Sequence, residues 1–186
     1  MTGAAWQRFG AVDVHYQPHG GACAALVVAS DERFSRITAE HTARVDTVAA
    51  YLPGQFYLRE LPALQAVLAT TAPMDLLVID GYVTLDPHGR PGLGAHLHTD
   101  TGVKVIGVAK TAFATASQAI AVRRGAATRP LYVTAAGLRS SSREESHLPA
   151  LADLGVTISR HPALVILSAR VCGPMPSGRK AWGTGW

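Results

Sequence analysis

Two short stretches constrain the fold of this chain most: residues 75–80, whose centre is Leu76-Leu77-Val78-Ile79, and residues 103–109, built on Val105-Ile106-Gly107-Val108-Ala109. Neither alternates between apolar and polar positions. A run that is apolar almost throughout reads as a strand covered on both faces. Between the two runs, residues 81–91 read as a long loop and residues 92–99 as a short helix. A crossover that contains a helix joins parallel strands, so the pair is expected to be parallel. With 186 residues the chain is of single-domain size and can bury such a core without staples.

The flanking pattern is of another kind. Residues 11–16 and 22–29 read as strands joined by the turn-rich Gln17-Pro18-His19-Gly20-Gly21, a connection of hairpin type. A third strand is expected over 36–43, where Ile37, Ala39 and His41 alternate with Thr38, Glu40 and Thr42. Pro53-Gly54 breaks either regular pattern. From residue 61 to 69 the spacing of Leu61, Leu64, Val67 and Leu68 is helical, with Pro62 in the first turn and Glu60 at the N-terminus. Residues 119–124 and 130–135 read as a further hairpin about Gly125. Antiparallel hairpins followed by a parallel crossover give a mixed α/β (α+β) fold with a central mixed sheet flanked by helices. Residues 1–172 are read as one domain. Within it, 140–145 are loop-like or a helix start, and 164–167 a buried strand or helix turn. Residues 173–186, rich in Gly, Pro, Arg and Lys, are expected to form a mobile tail.

Bulk properties exclude several classes. A chain that is 48% hydrophobic and 16% charged is globular rather than disordered. No apolar run is long enough to span a membrane, and Trp6, Gln7 and Arg8 stand where a signal peptide would carry an apolar block. Cys23 and Cys172 are too few for a disulfide framework and lack metal-ligand spacing, so a reducing cytoplasm is the expected location. The net charge of +4 is compatible with nucleic-acid binding without requiring it.

The chemistry is carried by charged residues at the ends of these elements. Asp13 interrupts a strand whose neighbours Val12 and Val14 favour burial, and a buried carboxylate must be paired or bound to metal. Asp80 closes the first apolar run and Lys110 the second, at the carboxyl ends where open parallel sheets bind ligands. Each has a plainer reading as well: a salt bridge for Asp13, a tight Asp-Gly turn for Asp80, a favourable helix-start acid for Glu60 and a solvent-facing strand terminator for Lys110. Taken together, three carboxylates and one cation are what a magnesium-dependent phosphodiesterase needs. Oxygen ligands hold the hard metal and the cation faces the phosphate. His96 and His98 are two apart on a helix and so face different ways, and His15 and His19 lack ligand geometry.

Four frames in order carry a family resemblance. They are Asp13-Val14-His15-Tyr16; Tyr51-Leu52-Pro53-Gly54 running on to Arg59-Glu60; Asp80-Gly81; and Gly107-Val108-Ala109-Lys110. In this the chain resembles the endonuclease V family, nucleases that recognise deaminated adenine (hypoxanthine, as inosine) in nucleic acid. The resemblance runs from about Ala11 to about Gly137. It implies a ribonuclease H-like fold and a metal site of Asp13, Glu60 and Asp80 for Mg²⁺, with Mn²⁺ as a possible substitute. Lys110 would stabilise the charge of the pentacovalent phosphate. Tyr51, Leu52, Pro53 and Gly54 would form the strand-separating wedge, and Gly81, the run from Gly92 to Leu97 with Gly94, and His88 would shape the base pocket. The implied partner is nucleic acid, DNA ahead of RNA, with a monomer as the default assembly.

The chain departs from that family at two places. Asp86, in Asp86-Pro87-His88-Gly89-Arg90, stands where a His is expected, and Leu138 stands where the family carries a second His. The resemblance puts Asp86 near the metal site, where an added negative charge would raise the metal requirement. A catalytically weakened nucleic-acid binder is the alternative reading.

Overall fold

Seven strands and two helices are formed by the described residues of the computed structural model, which are 8–18, 20–123 and 128–138. In order they are β1 (Phe9–Tyr16), β2 (Ala22–Ala29), β3 (Ile37–Val45), α1 (Tyr57–Leu68), β4 (Leu76–Asp80), α2 (Leu93–Thr101), β5 (Lys104–Ala109), β6 (Ile120–Val122) and β7 (Leu131–Ala136). The strands make one sheet in the order β3-β2-β1-β4-β5-β7-β6. The two apolar runs pair in parallel, from Leu76 opposite Lys104 to Asp80 opposite Val108. β1 also runs parallel to β4, while β1–β2, β2–β3, β5–β7 and β6–β7 are antiparallel. The chain therefore has the mixed α/β sheet that the sequence predicts.

Both faces of the central strands are covered, which is why their sequences do not alternate. On β4, Leu76 and Val78 join a cluster with Phe9, Ala11, Val27, Phe34, Ile106 and Val108. Leu77 and Ile79 point the other way, toward Ala63, Leu64 and Val67 of α1 and Leu93 and Leu97 of α2. β2 is buried at every position, whereas the edge strand β3 is not buried at any. A third, smaller cluster of Tyr82, Leu85, Ala109 and Ala116 closes the loops that follow β4 and β5.

Most element ends fall within two residues of expectation, but α1 starts at Tyr57, four residues before the predicted Leu61. The turn Leu52-Pro53-Gly54-Gln55 is closed by the Gln55 amide donating to the Leu52 carbonyl at 3.0 Å, with Gly54 at φ +76°. Pro then Gly at its centre is the signature of a type II turn. The Leu58 amide next donates to Gln55 O and the Arg59 amide to Phe56 O, so the chain winds directly from turn into helix. Apolar spacing could not find this first turn, because three of its residues are the polar-tipped Tyr57, Arg59 and Glu60. Pro62 consequently sits in the second turn, where it withdraws one helical hydrogen bond.

Among the described residues no helix is long and apolar enough to cross a membrane. Residues 140–145, 164–167 and 173–186, the domain limit at 172, Cys172, His19 and Gly125 of the last hairpin lie outside the described residues.

Candidate active site

Register brings the two aspartates together. β1 and β4 pair from Phe9 opposite Leu76 to Val12 opposite Ile79, and Asp13 and Asp80 each follow one residue later. Counting by twos, Asp13 falls on the face of Phe9 and Ala11, Asp80 on that of Leu76 and Val78, and Lys110 on that of Ile106 and Val108. The three therefore project from one face, where the parallel strands end. Lys110 Nζ lies 3.0 Å from Asp80 Oδ2, and each side chain is about a third exposed (36% and 33%).

Glu60 arrives from a different layer, on the first turn of α1. Tyr16, the last residue of β1, donates its hydroxyl to Glu60 Oε1 at 3.2 Å. The guanidinium carbon of Arg59 lies 4.8 Å from the centre of the Tyr16 ring. The fields of the three acids overlap. Burial, and then the charge of Asp80, push the Asp13 carboxyl up to about 7, against the Val14 amide and Lys110. Burial, the charge of Asp13 and, less strongly, that of Asp80 push Glu60 up to about 8, against the Tyr16 hydroxyl and Arg59. Burial and the Glu60 charge raise Tyr16 as well.

This donor set suits a hard divalent cation in kind. Three carboxylates supply oxygen ligands, and two of them are driven toward neutrality by burial and mutual repulsion, a cost that a bound cation removes. The oxygens are engaged by protein partners instead: Asp80 by Lys110, Glu60 by Tyr16, and Asp13 Oδ1 by the Val14 amide at 2.9 Å. Among the described residues no group of three or more His, Cys, Asp or Glu is gathered at metal-binding distance.

A groove is lined by Tyr51, Gly54 and Tyr57 together with Pro91, Gly92, Leu93 and Phe113. Tyr51 and Leu52 are 46% and 47% exposed and belong to none of the apolar clusters. A side chain at Gly54 would strike the Arg90 guanidinium, since an added Cβ would lie 2.6 Å from Nη2. The loop that delivers Arg90 is tied by Asp86, whose Oδ1 accepts the amides of His88 and Arg90 at 2.9 and 3.0 Å. Asp86 thus serves its own turn, and His88 is exposed at the loop surface.

Gly94 and Gly92 have a packing reason for being small: a Cβ on either would come within 2.6 Å of Val83 Cγ2 or Tyr82 O. Gly81, at φ +126°, occupies a backbone conformation that favours glycine. Of the remaining singled-out residues, His96 stacks on Tyr57 with ring centres 3.7 Å apart. His98 Nδ1 bonds the Val103 carbonyl at 2.7 Å, and Leu138 packs against the Phe9 cluster. The sequence reading missed Tyr16, Tyr57, Arg59 and Phe113. Tyr16 and Arg59 lie inside the quoted frames and could have been found there. Phe113 could not, since it is held at the groove by Tyr82, whose hydroxyl donates to Thr111 O and accepts from the Phe113 amide.

A family model for endonuclease V matches residues 2–175. Endonuclease V of Streptomyces avermitilis is 35% identical over 140 residues, which are 75% of this chain and 60% of that protein. Endonuclease V of Azotobacter vinelandii is 35% identical over 136 residues, 71% of this chain and 61% of its own. The chain thus spans about three fifths of the length of these relatives. Among solved structures, the S. avermitilis endonuclease V superposes with a TM-score of 0.67 at 26% identity, covering 88% of this chain and 80% of that one. An endonuclease V from Ciona intestinalis, in complex with a 23mer DNA containing an inosine followed by a ribo-adenosine, gives a TM-score of 0.68 at 18% identity. It covers 92% of this chain and 86% of that chain, a likeness of fold.

Proposed function

The chain belongs to the endonuclease V family, and we propose that it is a divalent-metal-dependent endonuclease that recognises hypoxanthine (inosine) in nucleic acid and hydrolyses a nearby phosphodiester bond. The observation that carries this reading is the register that sets Asp13 and Asp80 side by side at the ends of parallel β1 and β4, with Lys110 3.0 Å from Asp80 and Glu60 near enough for the charges of both to act on it. Asp13, Glu60 and Asp80 would hold Mg²⁺ or Mn²⁺. The ion, when bound, supplies Lewis-acid polarisation of the phosphate and a lowered pKa for the attacking water. Lys110 offsets the negative charge that builds on the phosphate as it is attacked. Tyr51 and Leu52, exposed on a turn fixed by Pro53 and Gly54, serve as the wedge between strands. The groove behind them, with aromatic Tyr57 and Phe113 in its walls, takes the displaced base. DNA is the proposed substrate ahead of RNA, met by a monomer in the cytoplasm.

The test is a labelled inosine-containing strand incubated with Mg²⁺, alongside its adenosine counterpart. A nick in the first strand only is expected, and Asp80→Ala should abolish it while the protein remains folded by circular dichroism. Full activity in Asp80→Ala would end the metal-site reading. A second reading, a nucleic-acid binder with weakened catalysis, is favoured by the protein partners that engage all three carboxylates. It predicts selective retention of the inosine strand without a nick.

A further inference from the structure

Tyr16 has no place in the chemistry above, yet it touches both members of the Arg59-Glu60 pair. Its hydroxyl donates to Glu60 Oε1 at 3.2 Å, and the Arg59 guanidinium carbon stands 4.8 Å from its ring centre. The ring itself packs against the cluster that lies between the sheet and α1. Arg59 Nε is buried without a hydrogen bond, and its guanidinium lies over the ring face. Through these contacts the end of the strand that carries Asp13 is clamped to the first turn of the helix that carries Glu60.

A glutamate side chain turns about three bonds and must lose that freedom to present an oxygen in one direction. A hydrogen bond to one carboxylate oxygen removes much of it and leaves the second oxygen for a ligand. We propose that Tyr16 is a positioning residue for Glu60, holding its carboxylate toward Asp13 and Asp80 and thereby setting how tightly the site takes a divalent cation. The inference rests on the reading of those three carboxylates as one metal site.

Direct Mn²⁺ binding by the full chain, followed by electron paramagnetic resonance without nucleic acid, separates the possibilities. Tyr16→Phe keeps the ring and its packing and removes the hydroxyl, with its bond to Glu60 and its contact with Arg59. Mn²⁺ should bind that variant roughly tenfold more weakly, the scale of lost support to a metal ligand. Its melting midpoint should hardly change, and saturating Mn²⁺ should restore wild-type cleavage. Equal affinity in Tyr16→Phe and wild type overturns the inference. A Tyr16→Phe protein that melts early and that added Mn²⁺ cannot rescue assigns Tyr16 to the fold alone. Wild-type protein that takes up no Mn²⁺ overturns the metal-site reading itself, and this inference with it.

Discussion

Asp80 and Lys110 each have an ordinary reading when taken singly, as a turn residue and a strand terminator. Only their partners change that. The same holds at Tyr51, where an aromatic before Pro53-Gly54 reads equally well as a packed loop residue or as a wedge. Its 46% exposure and absence from the apolar clusters favour the wedge. Tyr51→Ala should therefore alter stability by less than about 0.5 kcal/mol, as exposed positions do. It should also narrow the preference for inosine over adenosine strands. Urea denaturation and competition binding measure the two effects, and a large stability loss would return Tyr51 to a structural role. Asp86 also has a local role: its Oδ1 ties the amides of His88 and Arg90 within its own turn.

Among the elements, α2 shows how close packing reads in sequence as mere flexibility. Gly92 and Gly94 look like loop and helix-start glycines, but the loop after β4 crosses so near that the Gly92 amide bonds Val83 O at 2.8 Å. A methyl group at Gly94 would press on Val83 Cγ2 at 2.6 Å and on the Val83 backbone at 3.1 Å. Val83 is β-branched and fully buried, so it has little room to yield. Gly94→Ala should destabilise by about 1–3 kcal/mol, the usual scale of overpacking, read from the denaturation midpoint at unchanged slope. Helix α1 teaches the complementary lesson. Its apolar stripe was legible from Leu61 onward, while its first turn is set by the hydrogen-bonded turn before it and carries Glu60, the residue that matters chemically.

At the scale of the whole molecule, the carboxylate cluster links stability to pH. Asp13 and Glu60 have pKa values raised from 3.8 and 4.5 to about 7 and about 8, so the folded protein prefers them protonated. Stability from this source is complete below about pH 4 and is lost progressively as pH rises through 7 to 8. The melting midpoint of the metal-free protein should thus fall by several degrees between pH 5 and pH 8.5, on the order of what a few kcal/mol does to a domain of this size. Asp13→Asn combined with Glu60→Gln should flatten that slope. Adding Mg²⁺ at pH 8.5 should restore the midpoint of the wild type and leave the double variant unmoved. A wild-type midpoint independent of both pH and Mg²⁺ would show that the three acids do not act as one site.

The sequence by itself determined the sheet's central strands, their parallel pairing and the identity of the acids at their ends. Apolar runs of five or six residues have few ways to hide both faces, and a helix-bearing crossover permits only a parallel return. It also determined the exposed Pro-Gly turn, since those two residues fix the backbone locally. Tertiary structure alone decided that Glu60 approaches from α1, that Tyr16 and Arg59 meet it there, and that Phe113 reaches the groove through Tyr82. Those contacts join residues 29 to 44 positions apart. No local pattern encodes them, because they depend on how a helix and two loops settle against the finished sheet.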